Sequence, residues 1–444
     1  MRDQARLNGK YTAYPEYKDS GVEWLGEIPN SWDVIKIKHL SSVKRGASPR
    51  PIDDPKYFDE DGDYAWVRIA DVTASSTYLE KTTQTMSELG SSLSVRLEPN
   101  QLFLSIAGTV GKPCINKIKA CIHDGFVYFP ELKIPNKYLF YVFAGELAYK
   151  GLGKMGTQLN LNTDTVGDIK VALPKQIEQI EQIAAFLDYE TARIDSLIDK
   201  QQRLIELLKE KRQAVISNVV SVREGEISAK LSYFVDLLPG YAFPSSGFKN
   251  EADGNIPLLR GVNVGVGKLK WEETVWWPKA EKAEQEALKD FELQEGDIVF
   301  GMDRPWIAAG ARVAEVTSTD LPCLLLQRVA RIRTYEDTYQ PFVTLCLSSY
   351  EFKSFVEADL TGVSVPHISP DQIKSFSIRV IGFDKQKAET DTALKLCKEL
   401  EAIEAKAWSA ISLMQERRTA LIAAAVTGKI DLRGWTPPVE EDAA

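Results

Sequence analysis

The stretch from Pro174 to Val220 has no Gly or Pro after its first residue, and its apolar side chains recur every seven positions at Ile180, Leu187, Ile194, Leu208 and Val215, with Ile183, Leu197, Leu204 and Ile205 between them. A seam of that period, with Glu, Lys, Gln and Arg on the other faces, is what a helix needs to supercoil against a partner. The chain carries its own partner. Leu207–Val220 (LLKEKRQAVISNVV) and Leu413–Val426 (LMQERRTALIAAAV) match position by position at an offset of 206. The offset carries Ile194, Leu208 and Val215 to Leu400, Met414 and Leu421, so the two helices present apolar rows in the same phase. Gln201 and its mate Ala407 fall on the seam, where a polar group either fixes register or sits partly exposed.

A repeat of this length constrains everything around it. The spacer helices are expected over 174–220 and 383–430, and the segments 1–173 and 221–382 then read as two diverged copies of one α+β domain. Asp61-Gly62-Asp63 answers to Asp253-Gly254-Asn255, and Val67-Arg68-Ile69-Ala70-Asp71-Val72 to Leu259-Arg260-Gly261-Val262-Asn263-Val264; Leu102-Phe103-Leu104 answers to Ile298-Val299-Phe300, and Ile169-Lys170 to Ile373-Lys374. Drifting offsets of this kind are what loop insertions between equivalent elements produce. In the first copy, strands are expected at Val34–Leu40, Tyr64–Ile69, Leu102–Ile106, Phe126–Phe129 and Ile169–Leu173, with a helix at Tyr138–Lys150. Pro174 suits the first turn of the long helix. The aromatic stretch Tyr14–Trp32 shows neither period and is expected as an irregular arm. The acidic, Pro-rich tail 431–444 is expected to be disordered.

With 444 residues, 44% of them hydrophobic, the chain can bury more than one core. It has no apolar run long enough to span a bilayer and no apolar core of a secretion signal at its N-terminus, which places it in the cytoplasm with no membrane partner. Five cysteines without a C-x-x-C pair fit reduced structural thiols. A net charge of −9 lends no support to nucleic-acid binding and leaves room only for a local basic face.

Catalytic signatures are missing. Gly108-Thr109-Val110-Gly111-Lys112 and Gly265-Val266-Gly267-Lys268 lack the spacing and the Ser/Thr of a phosphate loop and read as turns. No Asn/Asp-Pro-Pro-Tyr/Phe segment is present, and the loose nuclease-like match of Pro370-Asp371 with Glu404-Ala405-Lys406 puts its second half on a helix. His39 and His123 read as structural, while His367, in TGVSVPHIS, is as consistent with a contact as with a structural role.

The run YKDSGVEWLGEIP, the two diverged halves, Pro174 with Glu178-Gln179, Phe186-Leu187-Asp188-Tyr189-Glu190-Thr191 and LLKEKRQAVIS together resemble the specificity subunits of Type I restriction-modification systems. Before the second helix, RVIGFDKQKA departs from the pattern, with neither Pro nor Glu-Gln, which leaves the start of that helix open. The resemblance implies two target recognition domains separated by two long antiparallel helices that form a coiled coil, each domain reading half of a split double-stranded DNA site. It implies a non-catalytic chain that docks two adenine methyltransferase subunits, with motor-nuclease subunits as further partners; S-adenosylmethionine, ATP and Mg would then belong to those partners and no cofactor to this chain. A helix of about 45 residues is roughly 65 to 70 Å long, enough for two domains to address major-groove faces about one turn apart.

Contact candidates are exposed basic and amide groups on loops, because Arg and Lys read guanine edges, Asn and Gln read adenine edges, and all can hold phosphate. In the first domain these are Lys44, Arg45, Arg50, Arg68, Lys112, Gln158 and Asn160. In the second they are Arg260, Asn263, Arg304, Trp306, Ser364 and His367. Two other readings stay open: a DNA-modifying enzyme, against which the missing motifs stand, and a coiled-coil scaffold or regulatory protein that never touches DNA, which the net charge keeps in play.

Overall fold

The computed structural model describes residues 11–150, 152, 161–279, 286–307, 310–359 and 367–438. The chain falls into two compact units, Met1–Gln201 with Ser409–Ala444, and Gln202–Trp408. The boundary cuts both long helices, so each unit holds one globular domain and half of each helix.

The helices run Ile177–Val220 and Phe383–Val426, 44 residues each, and the offset of 206 joins their first residues as well as their last. Pro174 is not in the first turn. It closes the strand Lys170–Pro174 opposite Trp32, a strand-end position where its missing N–H is tolerated. The second helix stops at Val426 rather than at 430 because Gly428 turns the chain with φ 70°.

Ion pairs join the two helices within each unit. In the second, Lys209 meets Glu404 at 3.8 Å, Arg212 meets Glu401 at 3.0 Å and Arg223 meets Glu389 at 3.3 Å, so one helix rises in number as the other falls. In the first, Arg418 meets Asp195 at 2.9 Å. Arg212 and Arg418 are repeat mates, as are Asp195 and Glu401. One contact has been made twice.

Of the seam residues, Ile180, Leu187, Ile194, Leu208 and Leu421 are buried, while Val215, Leu400 and Met414 are half-buried. Gln201 is half-buried and Ala407 buried. Leu197 and Leu204 are 43% and 36% exposed, and their neighbours Ile198 and Ile205 are buried instead. Where Leu and Ile stand side by side, the alternating three- and four-residue steps of a heptad seam select the second. The second helix has polar groups on its own seam, the buried Gln386 and Thr390.

The globular domain of the first unit is built on a five-stranded sheet, in the order Lys44–Arg45, Phe126–Tyr128, Leu102–Ser105, Pro113–Asn116 and Tyr78–Leu79. Beside it lies a four-stranded sheet of Thr85–Met86, Tyr64–Val67, Ala120–Ile122 and Val95–Leu97. The second unit repeats the plan with four strands, Val235–Pro239, Val329–Thr334, Ile298–Gly301 and Val313–Glu315, and with three, Val275–Trp277, Ile256–Leu259 and Leu324–Leu325. Each domain has one matching parallel pair, Tyr64–Val67 with Ala120–Ile122 and Ile256–Leu259 with Leu324–Leu325. Each also ties an early strand to its last, Trp32–Lys36 to Lys170–Pro174 and Ser228–Lys230 to Ser377–Arg379. The cores are apolar in both, centred on Val67, Phe103 and Phe126 in one and on Phe300, Phe342 and Phe352 in the other.

Several expected elements are shifted. The strand begun at Val34 ends at Lys36, and Ile37–Leu40 is a single helical turn. The helix expected over Tyr138–Lys150 is Asn136–Ala144, broken from the turn Leu147–Tyr149 by Glu146 at φ 60°. The arm contains a short hairpin of Tyr17–Asp19 with Glu27–Pro29, whose three-residue strands are too short to show a period. The tail packs at its start: Ile430 and Leu432 are buried, Trp435 meets Phe186 edge-on at 5.4 Å, and the Asp431 N–H donates to the Thr12 carbonyl at 2.7 Å. Ile169 corresponds to Phe376, not Ile373, because the Ile37 N–H donates to the Ile169 carbonyl as the Leu231 N–H does to that of Phe376.

The start of the second long helix is held by Gln386 instead of Pro and Glu-Gln. Its buried amide donates to the Ile381 carbonyl and accepts the Tyr339 N–H, both at 2.8 Å. No helix among the described residues is long and apolar enough to cross a membrane.

Candidate nucleic-acid interface

Both domains make the same turn where the first strand of the parallel pair ends. In the first, Tyr64–Val67 runs out at Arg68 and the helix Ile69–Ala74 begins; Asp71 accepts the Arg68 backbone N–H at 2.9 Å. In the second, Asn263 accepts the Arg260 N–H at 3.0 Å. A short polar side chain three residues into a turn satisfies a donor that would otherwise be orphaned. The arginines differ beyond that bond. Arg68 lays its guanidinium on Asp71, Nε and Nη2 at 3.4 and 3.5 Å, whereas Asn263 is wholly buried and donates inward to the Lys270 carbonyl at 2.8 Å. Asn263 is therefore a scaffold residue with no edge left for a base.

The far end of the turn is tied down by another repeat-related pair. The Ser105 N–H donates to the Lys112 carbonyl and the Gly301 N–H to that of Arg312, which makes Lys112 and Arg312 equivalent. Lys112 Nζ donates to the Thr73 carbonyl at 2.7 Å and Arg312 Nε to the Val264 carbonyl at 3.0 Å. Burial lowers the Lys112 pKa from its usual value, and its ammonium is spent on the helix end rather than offered to solvent.

The second strand of each parallel pair ends in the same region. After Ala120–Ile122, the loop His123-Asp124-Gly125 draws in two candidates, Arg45 Nε on the Asp124 carbonyl at 2.5 Å and Arg50 Nη2 on its carboxylate at 3.5 Å; Lys44 is exposed on the same short strand as Arg45. His123 faces inward, its ring 4.6 Å from that of Phe126 and its Nδ1 accepting the Gly125 N–H, and burial lowers its pKa, so it stays neutral and structural. Gly46 and Gly240 are needed here, since a Cβ on either would stand 2.2 Å from the His123 carbonyl oxygen or 2.1 Å from that of Leu326.

In the second unit the equivalent loop ends at Arg328. Asp303 gathers Arg328 at 3.0 and 3.1 Å and His367 Nδ1 at 2.7 Å. Burial raises the Asp303 carboxyl, but the bonds from His367 and Arg328 outweigh it and hold the group below its usual value. Arg304 follows at φ 45°, a conformation uncommon for a non-glycine residue. Trp306 packs its ring 5.9 Å from that of Phe352 and is half-buried, so much of it belongs to the core. Arg328 and Asp303 were not among the sequence candidates; Gln327-Arg328 follows its strand as Asp124-Gly125 does, and that alignment was the available signal. Gln158, Asn160 and Ser364 lie outside the described residues.

The described residues hold no cluster of metal-ligating side chains. The five cysteines are buried, and burial pushes the thiols of Cys114 and Cys323 up to about 12 and that of Cys121 to about 11, which keeps them protonated and inert.

Residues 29–207 match the Type I restriction modification DNA specificity domain. The specificity subunit of the Type I restriction enzyme MjaVIII from Methanocaldococcus jannaschii is 25% identical over 432 residues, 91% of this chain and 94% of that one. The chain is thus similar to Type I specificity subunits along most of its length. The EcoAI specificity subunit of Escherichia coli is 33% identical over 187 residues, a match that spans 40% of this chain and only 30% of that subunit's length. The fold of this chain recurs in two solved structures. One, from work on complex assembly and conformational transition of the type I R-M system, has a TM-score of 0.70 at 12% identity over 90% of this chain and 98% of its own. The other, the HsdS subunit from Thermoanaerobacter tengcongensis, has a TM-score of 0.52 at 13% identity over 91% and 98%.

Proposed function

We propose that this chain is a Type I specificity subunit that reads an asymmetric, bipartite DNA site, with one half-site per globular domain. The observation that carries the reading is the double occurrence of one basic turn on one scaffold with different residues around it. In the first domain Lys44, Arg45, Arg50 and Arg68 are the contacts, with Gln158 and Asn160; in the second they are Arg260, Arg304, Arg328 and His367, with Trp306 and Ser364. Guanidinium and ammonium groups on loops suit both guanine edges and phosphates. Two scaffolds that share a frame but not their side chains select two different words.

The long helices set the number of unread base pairs and dock two methyltransferase subunits. Support comes from apolar groups left outside the seam: Leu197 and Leu413 in the first unit, Leu204, Leu207, Ile403 and Trp408 in the second, each at least 36% exposed. Leu197 and Ile403 are repeat mates, as are Leu207 and Leu413, so the same patch is offered twice. Motor-nuclease subunits join this complex, S-adenosylmethionine, ATP and Mg are held by the partners, the chain itself catalyses nothing, and the assembly works in the cytoplasm.

The test is a binding titration of the subunit with its methyltransferase partner on DNA over a range of salt concentrations. Affinity that falls steeply with salt is expected, as phosphate contacts release counterions. A complex that binds no DNA even at low salt would leave the pure scaffold reading in its place.

A further inference from the structure

Arg68 and Arg260 occupy the same position in the two domains, yet only one of them is held. The Asp71 carboxylate takes Arg68 side-on through Nε and Nη2, at 3.4 and 3.5 Å, while one of its oxygens also accepts the Arg68 backbone N–H at 2.9 Å. This leaves the end of the guanidinium, Nη1 with the outer N–H of Nη2, facing away from the carboxylate on a side chain that is 43% exposed. That end is the edge that pairs with O6 and N7 of guanine. Asp71 itself is only 9% exposed at its side chain, so it is placed to orient Arg68 and not to touch DNA. The helix that carries Asp71 is clamped at its other end by Lys112 on the Thr73 carbonyl and by the Thr73 hydroxyl bonded to that of Thr109 at 2.7 Å.

Asn263 cannot do the same for Arg260. Its oxygen is committed to the Arg260 backbone N–H and its nitrogen to the Lys270 carbonyl, and it carries no charge. Nor could an aspartate replace it without turning a carboxylate oxygen against that carbonyl. Among the described residues Arg260 has no ion pair.

We propose that Asp71 is a positioning residue that makes Arg68 a guanine reader in the first half-site, whereas Arg260, unheld, contacts the second half-site with little base preference. A planar fork fixed beforehand meets only the base whose acceptors match it, and a mobile one settles on any acceptor within reach, phosphate included. The proposal rests on the reading of these turns as DNA-facing.

The experiment uses the full subunit in complex with its methyltransferase, selecting from DNA with both half-sites randomised. Asp71→Asn keeps the bond to the Arg68 N–H, as Asn263 does in the second domain, and removes the charged hold. Preference for guanine at one position of the first half-site is expected to fall about tenfold, with the other positions, the second half-site and binding to non-specific DNA unchanged. Arg68→Lys, which cannot form the fork, should relax the same position. A D71N complex with unchanged preference, or with equal losses at every position, would overturn the positioning role. If R68K also leaves every position untouched, this turn does not face DNA; if the unaltered complex selects nothing, the bipartite reading itself fails.

Discussion

The junction between globular domain and long helix is built twice, from apolar side chains in the first unit and from charged ones in the second. Strand register places Trp32 where the second unit has Glu226, and Ala172 where it has Arg379; the helix repeat places Ile183 where it has Glu389. Trp32, Ala172 and Ile183 are at most 2% exposed. In the second unit Arg379 is fully buried, bound by Nε and Nη2 to Glu226, by Nη1 to Glu389 at 2.5 Å and to the Val219 carbonyl at 3.0 Å. The last of these caps the end of the first long helix; in the first unit the Tyr138 hydroxyl does so at the Val426 carbonyl, at 3.3 Å. One backbone frame thus accepts either solution, provided the set changes together. A buried ion pair is no more stabilising than a well-packed apolar set, but it cannot be broken piecemeal.

The largest expected effect comes from breaking the ionic version. Arg379→Ala leaves Glu226 with Lys385 and Glu389 with Arg223 but neither with its buried partner, and a helix-end carbonyl without its donor, a loss on the order of 3 kcal/mol. It should appear as reduced hydrogen-exchange protection in the second unit, with the first unit unchanged. Converting the junction whole, with R379A, E226W and E389I together, should restore stability to within about 1 kcal/mol of the parent or raise it. If the triple variant is less stable than R379A alone, the correspondence drawn between the two junctions is mistaken.

Acid should separate the junctions more gently. Arg379 holds the Glu226 carboxyl well below the usual glutamate range. A carboxyl depressed on folding contributes stability that is present above its unfolded pKa, about 4.3, and is lost as pH falls through its folded value. Unfolding followed from pH 6 downward should show this loss in the second unit, and the triple variant should lack it. The first unit has its own depressed carboxyl, Asp168, held at about 2 by Lys38 and Lys36, but that cluster is exposed and its contribution should fade in high salt. The smallest effect belongs to the contact the two units share. Double-mutant cycles on Arg212–Glu401 and Arg418–Asp195 should each give about 0.2 to 1 kcal/mol, and similar values are expected of repeat mates.

How much of this was legible in the sequence depended on the length of the signal. An exact offset over 14 residues extended to helices of equal length, and the Arg68 and Arg260 motifs do occupy the same turn. Side-chain direction was beyond it. Adjacent Leu197-Ile198 offers two apolar residues for one seam position, and only the stepping of the whole seam, not the pair itself, decides between them. Asn263 reads as a loop amide until its burial against Lys270 is seen, and Lys112 reads as a free cation until Thr73 claims it. Asp303 was invisible because its partners, Arg328 and His367, come from loops far along the chain. The ionic junction was hidden for the same reason: Glu226 and Arg379 meet only through strand pairing, and Glu389 reaches them from the second long helix.

The central claim is that two repeat-related domains read two different words. The most direct measurement is the map of methylated adenines in DNA exposed to this subunit with its methyltransferase partner. Two short, unlike words separated by a fixed number of unread base pairs are expected, with one word altered by changes at Arg68 and only the other by changes at Arg328. A single contiguous word, or a change at Arg68 that alters both words alike, would contradict it.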